Sequence, residues 1–401
     1  TKSLLSILTK YTEPEYSSYG NNAFEEEYNE LIVSAFKLTN LFISIRNFLK
    51  LSPSVLEQNI FTKASTLVKL YIDNPSLKKP IVDLFIRLVT ISWNDNYPFL
   101  LSYLGEDVAK DFLNIISKDL QSPLNDFKLL RDIYIFVGSL LQSKQDGLAV
   151  LFLTGNVISN SSVTDKKESK DNKDIKVTSD KSIINILKTN ALKMNKYPEY
   201  VACNLLDCIS FAFNSWLHSK NLKDDLKFID TLLNKFNTFT PQSSPDITQD
   251  DIGLLIQQYR SIARIVEIFA LYLYVCPQKS SNVYKLLDNK DLYSKIKPFF
   301  EYSKDEKHSQ ETLINRFNTT YPSYPLNKFR LTQLSTTNNK FQYGLFNMDL
   351  MNKLFKKSHQ WIGSDEEPGL IHSVQEIASH MEYNHYKIMA AKAWGALITS
   401  Y

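Results

Sequence analysis

Apolar residues recur along this chain at helical spacing, in one stretch after another. Phe24, Tyr28, Leu31, Ala35, Leu38, Phe42, Ile45 and Leu49 alternate in steps of four and three. That spacing puts one apolar stripe along a helix of about 27 residues, the face such a helix is expected to bury. Glu25, Glu26 and Glu27 fall in its first turn, where the positive end of the helix dipole favours them.

The same periodicity predicts helices over Val55–Ile72, Leu77–Trp93, Pro98–Leu120 and Phe127–Leu141, with Asn74-Pro75 and Pro123 as breaks. Proline marks helix starts because the N–H it lacks has no partner in a first turn. Between Asn156 and Lys181 the chain turns polar and charged and cannot bury enough apolar surface to offset its ordering entropy, so a mobile loop is expected. Helical spacing resumes over Ser182–Met194, Glu199–His218 and Leu222–Phe236. Thr248 and Asp251, spaced like a capping box, then open a helix striped by Ile252, Leu255, Tyr259, Ile262, Val266, Phe269 and Leu273 and closed by Cys276-Pro277.

After Tyr321-Pro322-Ser323-Tyr324-Pro325 the helical period is lost until about Met348, since X-Pro steps favour extended backbone. Leu331–Leu334 and Phe341–Tyr343 are expected as short strands or extended packing segments, followed by helices over Met348–Ser358 and Gly369–Ser400. The fold class that follows is all-α: an irregular solenoid of HEAT-like or armadillo-like stacked helix pairs, with an irregular or extended segment near 320–347. The expected organisation is a first helical block over 1–155, a charged loop over 156–181, a second block over 182–319, and an extended segment with terminal helices over 320–401. No fixed repeat period survives counting, which excludes regular tetratricopeptide and ankyrin arrays.

Composition narrows the classes further. Of 401 residues, 43% are hydrophobic and 22% charged, so a packed core is expected. Only 10 are glycine, against a usual share of roughly 7%; hairpins, Rossmann turns and phosphate loops all consume glycine, so few can be present. Basic and acidic side chains number 46 and 43, spread evenly, and no basic block points to nucleic acid. Cys203, Cys208 and Cys276 lie in apolar surroundings and read as reduced buried thiols, which implies cytosol or nucleus. No stretch has the roughly 18 apolar residues of a membrane span, and the first residues resemble neither a signal nor a transit peptide. The absent initiator Met suggests a fragment or an excised domain.

Candidate chemistry is sparse. His372, Glu376 and His380 share one helical face, with His385 near, but the trio spans roughly 12 Å at about 1.5 Å per residue, too far apart to converge on one zinc ion. No nucleophile elbow, phosphate loop or Cys-x-x-Cys occurs, and no cofactor or metal is expected. Phe-Gly dipeptides are absent, which excludes a permeability-barrier repeat. Trp93, Trp216 and Trp394 read as packing anchors, and Trp361, beside Ile362-Gly363 at a helix end, as a packing anchor or a partner contact.

The last part of the chain carries a more specific pattern. It includes Leu334-Ser335, Tyr343-Gly344, Met348-Asp349-Leu350, Trp361, then Tyr383-Asn384 and Trp394. This series resembles the large α-helical scaffold nucleoporins of the nuclear pore's inner ring. The resemblance implies that Leu334, Tyr343, Gly344, Asp349, Leu350, Trp361, Asn384 and Trp394 are structural signature residues rather than catalytic ones. It also implies a place in the nuclear pore complex at the nuclear envelope. The implied partners are other nucleoporins, offering short linear or helical motifs from linker nucleoporins; homo-oligomerisation is not expected.

The expected function is therefore a non-enzymatic scaffold that supports nucleocytoplasmic transport. A HEAT-type nuclear transport receptor is the alternative, although the near-neutral charge of +3 argues against the acidic surface such receptors usually carry. A helical hydrolase or transferase would need a site assembled from distant residues, and local spacing supplies none.

Overall fold

A computed structural model describes residues 22–48, 51–91, 93, 98–123, 125–155, 182–214, 226–239, 249–275, 282–289, 291–300, 304–322, 330–331, 345–346 and 367–401. They fall into two compact units, divided between Ala212 and Phe213. Each unit is an all-α stack of the irregular solenoid type.

In the first unit the helices are α1 (Asn22–Phe48), α2 (Val55–Thr62), α3 (Ala64–Asp73), α4 (Lys78–Thr90), α5 (Leu100–Leu104), α6 (Glu106–Gln121), α7 (Phe127–Gln142), α8 (Asp146–Thr154), α9 (Ile183–Ala191) and α10 (Glu199–Asn214), whose last turn crosses the division. The predicted 27-residue helix is α1, at that length. Two predicted helices are each two. Lys63, at φ −104° and ψ 10°, breaks Val55–Ile72 into α2 and α3. Gly105, at φ 74°, breaks Pro98–Leu120 into α5 and α6, a left-handed conformation that costs other residues a steric clash. α8 lies beyond the predicted helices and ends at Gly155 in the αL conformation, whose N–H donates to the Leu151 carbonyl.

Local chemistry sets the other ends. At α2, Ser54 and Glu57 form a complete capping box, and the Arg46 guanidinium of α1 donates to the same Glu57 at 2.9 Å. At α7, Asp126 accepts the N–H groups of Lys128 and Leu129. Asn74 caps a 3-10 turn, Pro75–Leu77, that feeds α4.

α4 packs against both α1 and α7, burying Ile81, Val82, Leu84, Phe85, Leu88 and Val89. A run of aromatic rings continues the core: Tyr71 meets Phe112 at 5.6 Å, Phe112 meets Phe85 at 5.4 Å and Phe136 at 5.7 Å, and Phe136 meets Phe152 at 6.0 Å. Each such ring, fully buried, contributes about 1.5–3 kcal/mol through removal from water.

The second unit contains α11 (Leu226–Thr238), α12 (Gln249–Val275), α13 (Asn282–Leu287), α14 (Leu292–Phe300), α15 (Lys304–Thr320) and the 34-residue α16 (Glu367–Ser400). The predicted stripe of α12 is buried from Ile252 to Leu273. α12 and α16 pack together extensively, and α15 and α14 also lie against α16. Where extended backbone was expected, Arg330-Leu331 pairs antiparallel with Leu345-Phe346, in the register Arg330 to Phe346 and Leu331 to Leu345. The second partner therefore lies just past the expected Phe341–Tyr343. The charged stretch 156–181, the Thr248 cap, the Cys276-Pro277 stop and the helix expected over Met348–Ser358 lie outside the described residues.

Candidate interaction surfaces

Of the eight residues expected to form a family signature, Asn384 and Trp394 are described; Leu334, Tyr343, Gly344, Asp349, Leu350 and Trp361 lie outside the described residues. Both sit on α16 and both are buried. The Trp394 indole packs edge-on against Phe236 of α11, ring centroids 5.6 Å apart. Asn384 donates its amide to Gln310 Oε1 of α15 at 3.0 Å. These positions hold α16 to its neighbours.

The α12–α16 contact is lined by polar as well as apolar groups. Tyr383 meets Tyr259 edge-on at 5.4 Å, and the Arg260 guanidinium lies 5.7 Å from the centre of the Tyr386 ring. Burial raises the Glu382 carboxyl pKa, against the pull of Arg260. Burial also lowers the His385 pKa, and the cations of Lys392 and Arg264 add to the shift. His380 is lowered by burial, with Glu376 opposing.

On the face that His372, Glu376 and His380 share, the Glu376 carboxylate accepts from Arg316 of α15 at 2.5 Å. Among the described residues no group of three His, Cys, Asp or Glu side chains is placed to hold a metal ion. Cys203 and Cys208 are both buried in α10, and burial together with Asp207 pushes the Cys208 thiol upward, away from the reactive thiolate. Cys276 and Trp216 lie outside the described residues, while Trp93 packs edge-on against Phe61 at 5.6 Å.

In the first unit, the buried polar groups join helices. Gln145 accepts the Leu100 N–H at 2.7 Å and donates to the Pro98 carbonyl at 2.9 Å. Asn190 of α9 donates to the Leu120 carbonyl at the end of α6 and to the Tyr134 hydroxyl of α7. Asp119 accepts from both Tyr71, at 2.6 Å, and Lys78. Sequence reasoning missed these ties, because partners 41 to 70 residues apart leave no local spacing to read.

α1 corrects the sequence reading. Its buried face is Ile32, Phe36 and Ile43, with Ala35, turned toward α4; Leu31, Leu38 and Phe42 of the predicted stripe are 51%, 42% and 45% exposed. Among the described side chains of that stripe, these three are open to solvent, while Ala35 is buried and Ile45 half-buried. No helix among the described residues is long and apolar enough to cross a membrane.

Residues 1–156 match the family model for nucleoporin Nup188, N-terminal subdomain III. Over 389 residues, 95% of its length, the chain is 36% identical to nucleoporin NUP188 of Saccharomyces cerevisiae, of which it covers 23%. Over 280 residues, 68% of its length, it is 23% identical to nucleoporin nup184 of Schizosaccharomyces pombe, covering 17% of that protein. The chain thus spans under a quarter of the length of these curated relatives. With this identity across 95% of its length and the match of its first 156 residues to the family model, the chain belongs to the nucleoporin family, proteins of the nuclear pore complex at the nuclear envelope.

Proposed function

We propose that this chain is a scaffold segment of the pore's inner ring. It holds other nucleoporins by taking short linear or amphipathic helical motifs from linker nucleoporins into apolar surfaces between and along its helices. The observation that carries this reading is the 36% identity to a nucleoporin across nearly the whole chain.

The use of the buried polar groups supports a non-catalytic role. Asp119 is held by Lys78 and Tyr71, Glu57 by Ser54 and Arg46, and Asn190 by a backbone carbonyl and a tyrosine. These ties consume the hydrogen-bonding capacity that acid–base or nucleophilic chemistry would need.

The test is affinity capture from nuclear-envelope extract on the immobilised chain, with bound proteins identified by mass spectrometry. Nucleoporins should be enriched over a helical control protein. Enrichment of the GTP-loaded transport GTPase without nucleoporins would instead favour a transport receptor.

A further inference from the structure

Phe24, Tyr28, Leu31, Ala35, Leu38, Phe42 and Ile45 keep strict steps of four and three, an average period of 3.5 residues. That is the a/d spacing of a coiled-coil seam, which stays in line only along a second helix whose knobs fill its holes. Of the seam positions whose side chains are described, Ala35 is buried beside Ile32, Phe36 and Ile43 and Ile45 is half-buried, while Leu31, Leu38 and Phe42 stand open. Leu31 and Phe42 are eleven residues apart, so the open part runs about 16 Å at 1.5 Å per residue, or about one and a half heptads.

Charge selects among helical occupants. Glu27 and Glu30 are exposed beside the N-terminal end of the seam, with Glu27 at a g-type flanking position. Arg46, at an e-type position near the other end, is engaged by Glu57 and by the Ser52 carbonyl. Lys37, exposed one heptad beyond Glu30, flanks the middle of the seam, so the acidic charge is confined to the N-terminal end, and a helix with Lys or Arg at the matching end would be attracted there.

From this geometry we infer that the Leu31–Leu38–Phe42 seam of α1 is a docking surface for one amphipathic helix of a partner protein. That helix carries apolar residues at heptad spacing and basic residues opposite Glu27 and Glu30. The inference rests on the scaffold reading and gives it a location and a motif.

The test uses the 401-residue chain and two fluorescent 21-residue helical probes that share Leu at every a and d position. One probe has Lys and the other Glu at its flanking positions. By anisotropy, the Lys probe should bind at least tenfold more tightly than the Glu probe. Leu38→Asp combined with Phe42→Asp should weaken it at least tenfold, with circular dichroism showing the fold retained. Glu27→Lys combined with Glu30→Lys, a surface change that leaves the core untouched, should reverse the preference between probes.

Equal binding of both probes, or binding indifferent to both double variants, would overturn the inference. So would binding that appears only after deletion of residues 1–21, which would make the chain's own N-terminal residues the occupant. A doubled mass by light scattering that Leu38→Asp abolishes would overturn it in favour of a second copy. Capture of nucleoporins that persists in the Leu38→Asp/Phe42→Asp variant would sink this surface and leave the scaffold reading standing.

Discussion

Tyr383 of α16 stands edge-on against Tyr259 of α12, ring centroids 5.4 Å apart and planes at 86°. Edge-to-face rings are worth about 0.5–1.5 kcal/mol beyond the area they bury. A double-mutant cycle with Tyr259→Leu and Tyr383→Leu, read by urea denaturation, should return a coupling of that size. A coupling near zero would mean the two helices are held by area burial alone.

Trp394 is completely buried on the same helix. Trp394→Ala should destabilise the second unit by about 3–5 kcal/mol, through lost transfer energy and the cavity left behind. Thermal melting followed by circular dichroism measures it. Trp394→Phe should recover part of the loss.

Asn190 bridges the end of α6 to α7 through one amide. Asn190→Ala leaves the Leu120 carbonyl and the Tyr134 hydroxyl short of a partner in a buried place, which should cost about 1–3 kcal/mol. Equilibrium denaturation should show this as a lower midpoint with an unchanged slope.

Two glycines should respond to alanine with opposite signs. At Gly105, with φ 74°, a β-carbon forces a left-handed residue and should cost about 1–2 kcal/mol although nothing crowds the site. At Gly253, inside α12 with open space around it, alanine should stabilise by about 0.5–1 kcal/mol. Melting temperatures of the two variants should move apart.

The histidines of α16 make stability sensitive to mild acid. Burial holds the folded pKa values of His380 and His385 below the ordinary 6.5, so the unfolded chain takes up these protons first. Their contribution is complete above pH 6.5 and declines as the pH falls below it. Glu382, raised above its usual 4.5, works the other way, since protonation relieves its burial. Urea midpoints should drop between pH 7.5 and 5.5, and less so in His380→Gln/His385→Gln.

Much of the helical order was legible from spacing alone, because a buried stripe leaves a periodic trace, as along α12 from Ile252 to Leu273. The breaks at Lys63 and Gly105 were harder: both interrupt runs whose apolar spacing continues across them. Gly105 did leave a signal, since glycine is scarce here and this one sits mid-run. On α1, periodicity found an apolar face and could not say which of two would be buried. Ile32, Phe36 and Ile43 make a second stripe, and the partner that chose between them, α4, starts 30 residues after α1 ends. Gln145 and Asn190 were invisible for the same reason: their partners are distant in sequence and close only once the helices stack.

Cross-linking mass spectrometry on intact nuclear pore complexes tests the central claim most directly. Lysine-reactive cross-links from exposed positions such as Lys37 and Lys63 should reach lysines of other nucleoporins, and those near α1 should fall in basic amphipathic helices. Cross-links confined to this protein itself, or leading only to soluble transport factors, would contradict the claim that these stacked helices are a scaffold for neighbouring pore components.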